Sequence, residues 1–485
     1  MPQRAARRLS VPAIAGALAL LVTGSLLLRS GALHAGYWID EAIAVGIASH
    51  PLSGIPHALA QDGSPPLYYV LLHGWMALFG TSEPATRALS ELFAVLAIPV
   101  AWWAGRAVAG DRAAVLAAAG AAFCPFATFY AQETRMYTLV VLLSLAAAGS
   151  FVLAFLHGRR RHVAALGAWL VLLLYTHTWG AFLAAAMGVV WLWLWRAGRV
   201  RGRDGALMFA AVALAYVPWL PTLAYQAVHT AAPWAQRPSP LLLLAVPAML
   251  FGALALVPLG VALACAWRVP DEATRALAAI AALTALFAWV FSQVQPAWAP
   301  RYLAVLVGPL LLASASVLAR GGRWTAVALA GVAAVWILGG FAPAPSNVRE
   351  VARGAAGALR PGDLVISTQP EQVPALYRYL PRGLRYDTPL GPVGDPRQVD
   401  WRDATARLRR HTLPDLRLAS GRRILLVTPV DDHRSARWSR LVGLRTREWS
   451  AAIAADPRLR VLRPFTPVPA GPLRGAVRAE LLQVR

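Results

Sequence analysis

Eleven long apolar stretches decide what this chain can become. They cover residues 9–28, 85–105, 113–130, 136–156, 163–178, 180–195, 206–224, 240–266, 274–292, 302–319 and 324–341. A helix needs roughly 20 apolar residues to cross about 30 Å of hydrocarbon. No water is present there to satisfy backbone N–H and C=O groups, so each stretch is expected as a helix. Only 14% of the residues are charged, against about 25% in a soluble domain. The expected fold class is an all-α polytopic membrane protein with about eleven transmembrane helices.

All 46 basic residues are Arg, and the net charge is +23. A balance this basic raises nucleic acid as a partner, but the distribution points to membrane topology instead. With a cytoplasmic N-terminus, and with 66–79 not crossing, the cytoplasmic loops hold sixteen Arg. The short outer segments then hold five: Arg29, Arg87, Arg135, Arg237 and Arg301. If 66–79 crossed, every later loop would swap sides and the clusters at 157–162 and 196–203 would face out, against the positive-inside rule. Residues 66–79, opened by Pro65-Pro66, are therefore expected as an amphipathic or re-entrant helix on the extracytoplasmic face. The segment 9–28 behind Arg4, Arg7 and Arg8 is expected as an uncleaved first span. A signal-peptide reading also leaves Asp40 on the far side of the membrane.

Beyond Pro343-Ala-Pro345 the pattern changes. Short β-like runs (364–367, 424–428, 477–484) alternate with helical ones (369–380, 435–455), which predicts a small α/β domain. The expected division is a transmembrane domain over 1–344 and an extracytoplasmic soluble domain over 345–485. Cys124 and Cys265 both sit inside apolar runs and read as small core hydrophobes.

The topology gathers the unusual polar residues on the outer side. His34-Ala-Gly-Tyr-Trp-Ile-Asp40-Glu41 follows the first span, then Gln61-Asp62-Gly-Ser-Pro-Pro-Leu-Tyr68-Tyr69. Asp40 admits two roles, N-cap of a short helix over 42–49 or general base for a hydroxyl nucleophile. With Glu41 it also offers hard oxygen ligands for a divalent cation. Asp62 is a turn residue or a second carboxylate for a sugar or ion, and Tyr68 and Tyr69 read as interfacial belt aromatics. Gln132-Glu133-Thr-Arg135-Met-Tyr137 opens the next span. An Arg there opposes the helix dipole and asks for an anionic partner such as phosphate. His177, Arg301 and Tyr302 lie at outer span ends, as a hydrogen-bonded His and a second anion site or interface anchor. Asp431-Asp432-His433 is a weak metal pattern, and no nucleotide-binding or zinc-protease motif occurs.

Taken in order and spacing, Tyr37-Trp-Ile-Asp40-Glu41, Asp62-Gly-Ser-Pro-Pro-Leu-Tyr68-Tyr69 and Phe129-Tyr-Ala-Gln132-Glu133-Thr-Arg135-Met-Tyr137 resemble the GT-C glycosyltransferases. The resemblance covers roughly residues 30–340. It is strongest to the bacterial relatives of protein O-mannosyltransferases (family 39) and of lipid A aminoarabinose transferases. It implies transfer of a mannose- or arabinose-like sugar from a polyprenyl-phosphate donor to an extracytoplasmic glycan, lipid or protein acceptor, without nucleic acid. It implies that Asp40 acts as base or organises the acceptor, that the stretch Gln132–Tyr137 lines the site and that basic residues hold the carrier phosphate. The expected assignment is then Asp40 as base with Glu41 as its catalytic companion, and Asp62, Gln132, Glu133, Arg135, Tyr137, His177, Arg301 and Tyr302 as substrate contacts. A divalent ion, if used, falls to Asp40, Asp62 and Glu133. Some members carry Lys before the Pro-Pro pair; Ser64 stands there here, which leaves the phosphate to Arg135 or Arg301. The rival classes are a polyprenyl-linked sugar transporter or flippase, and an envelope polysaccharide assembly protein.

Overall fold

The computed structural model describes residues 10–230, 232–235, 237–413, 420–430, 437–465 and 473–485. Every apolar stretch is helical, beginning with α1 (Val11–Leu28). The first loop folds into α2 (Ile39–Ala48), α3 (Ile55–Asp62) and α4 (Leu67–Phe79). At 13 residues, α4 is about 20 Å long, short of a crossing. The stretches 85–105 and 113–130 share one 41-residue element, α5 (Glu83–Phe123), whose helical geometry breaks at Ala109-Gly110. Gly110 takes φ 82°, a left-handed conformation easy only for glycine. The arms fold back there, bringing Gly105 against Ala113 and Ala117. α6 (Pro125–Ala131) and α7 (Tyr137–Phe151) follow.

Among the described residues six helices are long and apolar enough to cross a membrane, and a bent pair counts as a seventh. That pair is the 240–266 stretch, which was expected as one span. It is broken into Leu241–Phe251 and Ala253–Ala266 at an angle of 92°, with Gly252 at φ 82°. The helices Arg161–Thr176, Gly180–Arg196 and Arg323–Leu338 are shorter; with the second arm of α5 they account for the remaining apolar stretches.

The C-terminal layer is a six-stranded sheet of order β3-β2-β1-β4-β6-β5. Its strands are β1 (Leu364–Ser367), β2 (Arg385–Thr388), β3 (Gly391–Pro392), β4 (Arg423–Pro429), β5 (Leu459–Phe465) and β6 (Val477–Val484). β1 is parallel to β2 and β4, whereas β6 is antiparallel to β4 and β5. The hydrophobic core continues from the membrane helices into this layer, joining Tyr37 and Ile43 to Val348, Leu376 and Val427. Gly46 of α2 lies against the Arg397 carbonyl, so closely that a Cβ there would collide with it.

Two buried arginines tie down the loop that carries Asp40. Arg29 donates to the carbonyls of Ala121 and Ala122 at the end of α5 (3.1 and 2.9 Å). Those groups would otherwise be orphaned by the helix end. Arg87 binds Glu41 through two bonds, Nε to Oε1 at 2.7 Å and Nη2 to Oε2 at 2.6 Å. Its Nη1 donates to the carbonyls of Ala32, Leu33 and Ala35 (2.8, 2.9 and 2.6 Å). Glu41 also accepts the Thr134 N–H (2.9 Å) and the Trp38 N–H (3.3 Å).

Both residues are buried. Removing one partner of such a pair typically costs about 3–5 kcal/mol, because a charge is left buried and uncompensated. Glu41→Ala is expected to lose stability of this order in denaturant unfolding of detergent-solubilised protein. Glu41→Leu combined with Arg87→Met should recover part of it. Unfolding of Glu41→Ala at the wild-type midpoint would refute this reading.

Candidate active site

The cavity at the junction of helices and sheet layer has a volume of about 740 Å³. Among the ten expected site residues it is lined by Asp40, Asp62, Arg135, Tyr137, His177, Arg301 and Tyr302. α2 begins at Ile39, with Trp38 as its cap, so Asp40 sits in the first turn and is not the N-cap. Glu41, at the third helical position, reaches back instead, and its carboxylate accepts the N–H of the capping residue Trp38. Successive helical side chains diverge by about 100°. Glu41 turns into the Arg87 frame while Asp40 turns into the cavity.

Glu41, Gln132 and Glu133 do not line the cavity. Glu41, expected as a catalytic companion, is saturated by Arg87 and backbone N–H groups. Gln132 is a brace: it accepts the Ala32 N–H (3.1 Å) and donates to the Thr128 carbonyl (2.9 Å). Glu133 is buried and paired with Arg474 from the C-terminal layer. Burial pushes its carboxyl up to about 7, against the opposing pull of Arg474. Tyr68 and Tyr69, expected at the membrane interface, are fully buried, with Tyr68 OH 3.2 Å from Ser90 Oγ.

The cations converge on Asp40. Arg301 stands in the short turn Pro300–Leu303 and brings Nε to 3.8 Å from Asp40 Oδ2. Arg135, in the turn before α7, donates from Nη1 to the Asp40 backbone carbonyl at 3.2 Å. Tyrosine rings back both guanidiniums, Tyr137 under Arg135 at 5.8 Å and Tyr302 under Arg301 at 5.3 Å. The Nε atoms of both arginines are buried without a hydrogen-bond acceptor. Buried polar atoms are rarely left so, and a ligand rich in oxygen acceptors would satisfy them.

Asp62 closes α3, where Gly63 takes φ 103°, and accepts the Ser64 hydroxyl at 2.8 Å. Burial raises its carboxyl above the ordinary range, with Arg135 opposing. His177 accepts the Trp179 N–H on Nδ1 (3.1 Å), which assigns its proton to Nε2. Its ring packs edge-on to Tyr302, 4.8 Å between centroids. Burial, then Arg135 and Arg301, pull its pKa down to about 3.

Among the lining residues that escaped the sequence reading as site residues are Arg474, Glu371 and Trp38. Arg474 lies over the Trp38 ring, Cζ 3.2 Å from the centroid. No local signal marks it, because it reaches the cavity from 341 residues beyond its partner Glu133. Among the described residues no group of three His, Cys, Asp or Glu is arranged to hold a metal ion. The trio Asp40, Asp62 and Glu133 is separated by the turn of Glu133 toward Arg474. Asp431-Asp432-His433 lies outside the described residues.

No protein-family model and no curated protein matches the chain. Solved structures do. ArnT from Cupriavidus metallidurans bound to undecaprenyl phosphate superposes over 98% of each chain, with a TM-score of 0.62 at 15% identity. The Archaeoglobus fulgidus oligosaccharyltransferase in complex with Zn and sulfate has a TM-score of 0.57 at 14% identity, covering 85% of this chain and 68% of that one. The arabinofuranosyltransferase AftD from Mycobacteria has a TM-score of 0.54 at 17% identity, covering 99% of this chain and 42% of that one. The chain therefore has the GT-C fold that the motifs between residues 37 and 137 led us to expect over residues 30–340, and the likeness to ArnT extends beyond that expectation to the C-terminal layer.

The His177 environment makes a pH prediction. Its folded pKa lies below the unfolded value of about 6.5, so the unfolded chain takes up this proton first as the pH falls. Its contribution to stability therefore declines from about pH 6.5 towards 3. His177→Asn should flatten that part of the stability–pH curve in thermal unfolding, leaving the region above pH 7 unchanged. An unaltered acid slope would overturn the assignment of a buried neutral imidazole.

Proposed function

We propose that this chain is an integral membrane glycosyltransferase. It takes a mannose- or arabinose-like sugar from a polyprenyl-phosphate carrier and passes it to an acceptor hydroxyl on the extracytoplasmic face. The observation that carries this reading is the pair of guanidiniums flanking Asp40, Arg135 buried and Arg301 partly buried, whose buried Nε donors are unsatisfied. A phosphate diester presents the acceptors that fit them, and Arg binds such oxygens through two parallel bonds. The undecaprenyl phosphate bound in an ArnT structure of the same fold supports a carrier of this chemistry. The Arg-rich connectors at the other end of the bundle support the sidedness.

The chemistry is a direct displacement. Donor binding gives Arg301 a phosphate oxygen and leaves the Asp40 carboxylate to the acceptor hydroxyl. Asp40 takes the hydroxyl proton as the acceptor oxygen bonds to the anomeric carbon. The bond from that carbon to the phosphate oxygen breaks, and the electron pair leaves with the polyprenyl phosphate. Arg135 and Arg301 stabilise the charge that develops there. Attack opposite the leaving group inverts the anomeric configuration. The neutral His177 supplies an Nε2–H donor, Asp62 and Tyr137 line the sugar's surroundings, and Glu41 holds the loop without touching substrate. Residues 1–344 are assigned the carrier and the reaction, and residues 345–485 the acceptor side of the cavity.

Purified protein in nanodiscs, given radiolabelled polyprenyl-phosphate mannose and arabinose with candidate acceptors, tests this. Asp40→Asn should lower transfer by about 10²–10⁴-fold with carrier binding retained, and Arg301→Ala should weaken carrier binding. Transfer by Asp40→Asn at the wild-type rate would exclude it as the base. Carriers that cross vesicles unconsumed would make the protein a transporter instead.

A further inference from the structure

Three of the residues lining the cavity, Gln226, Trp38 and Trp234, carry buried polar atoms that the displacement step does not use. Gln226, on the helix Leu220–His229, is only 4% exposed. Its Nε2 donates to the carbonyls of Leu59 (2.8 Å) and Ser64 (3.4 Å). Carbonyls only accept, so the amide is oriented without ambiguity and Oε1 is left as the acceptor. That oxygen is buried with no hydrogen-bond partner. The indole Nε1 atoms of Trp38 and Trp234 are likewise buried and unsatisfied, and all three residues line the cavity.

One orphaned acceptor and two orphaned donors define a ligand. An acyl chain would leave all three unsatisfied. An ammonium group would serve Gln226 but offers the indoles nothing, since it has no acceptor. A sugar hydroxyl donates and accepts, so a ring bearing several of them fits the set. Gln226 also grips the backbone on both sides of Asp62. Asp62 lies within electrostatic reach of Arg135 and Asp40, which places this wall beside the phosphate-binding end. We infer that Gln226, with Trp38 and Trp234, is the subsite that recognises the hydroxyl groups of the carrier-linked sugar. This rests on the transferase reading above.

The test compares two probes in nanodiscs, undecaprenyl phosphate and undecaprenyl-phosphate mannose. Wild-type protein is expected to bind the sugar-bearing carrier more tightly. Gln226→Met, which keeps the length but removes the acceptor, should weaken the mannosyl carrier about tenfold, the scale of one lost hydrogen bond to a buried group. Bare undecaprenyl phosphate should be unaffected. Trp234→Phe, which removes only the N–H, should weaken the mannosyl carrier alone and keeps the inference testable if Gln226→Met does not fold. Equal losses on both probes would make Gln226 merely a brace for the Asp62 turn and overturn the subsite. A wild-type protein that binds neither probe would instead remove the transferase reading on which the subsite rests.

Discussion

The ion pair between Arg87 and Glu41 is the point from which the rest of the site is hung. One guanidinium, buried beside the membrane core, collects a carboxylate and the carbonyls of residues 32, 33 and 35. The carboxylate in turn collects the Trp38 and Thr134 N–H groups. Four pieces of chain meet there: the exit from α1, the start of α2, the first arm of α5 and the turn before α7. A buried ion pair is weak evidence for net stability, because desolvation offsets much of the attraction. Its contribution here is geometric. Glu41 can be satisfied in one direction only, so the adjacent Asp40 is aimed into the cavity, and the Thr134 bond fixes the turn that delivers Arg135.

The C-terminal layer belongs to the same construction. Tyr379 OH donates to Glu83 (2.9 Å) and accepts the Tyr37 N–H (2.9 Å), while Arg349 also pairs with Glu83. These contacts clamp the first loop against the layer directly above the Arg87 pair. The layer then sends Arg474 back into the cavity, stacked on Trp38 and paired with Glu133. A carboxylate buried this deeply would otherwise protonate readily, and the arriving cation is what opposes that.

Much of this was legible in the sequence, for identifiable reasons. The apolar stretches report the solvent each segment meets, which is a local property. Asp40, Arg135, His177 and Arg301 stood out because charge is costly in a chain this apolar. What stayed hidden depends on direction or on distant partners. Asp40 and Glu41 are neighbours of one chemistry, and only the helix phase separates the cavity from the frame. Tyr68 and Tyr69 look like belt aromatics until α5 and the turn before α7 pack against them. The 92° break in 240–266 turns on the backbone of Gly252, within a stretch whose composition reads as one span. Strand β5, with exposed arginines on an edge, lacks the apolar run that revealed β1, β4 and β6.

The electrostatics of the cavity then follow from how its cations are kept. Arg87 and Arg474 are neutralised by Glu41 and Glu133, which lie outside the cavity, so those pairs hold structure. Arg301 leans on Asp40 at 3.8 Å, beyond hydrogen-bonding distance, and Arg135 reaches only the Asp40 backbone carbonyl. These two guanidiniums have been desolvated without being fully repaid in hydrogen bonds. An incoming phosphate would replace a poor set of contacts with a good one, and the cost of dehydrating the cations has already been met in folding. Such preorganisation is worth most where charge develops during reaction. Here that place is next to Asp40, the carboxylate that the frame turns into the cavity.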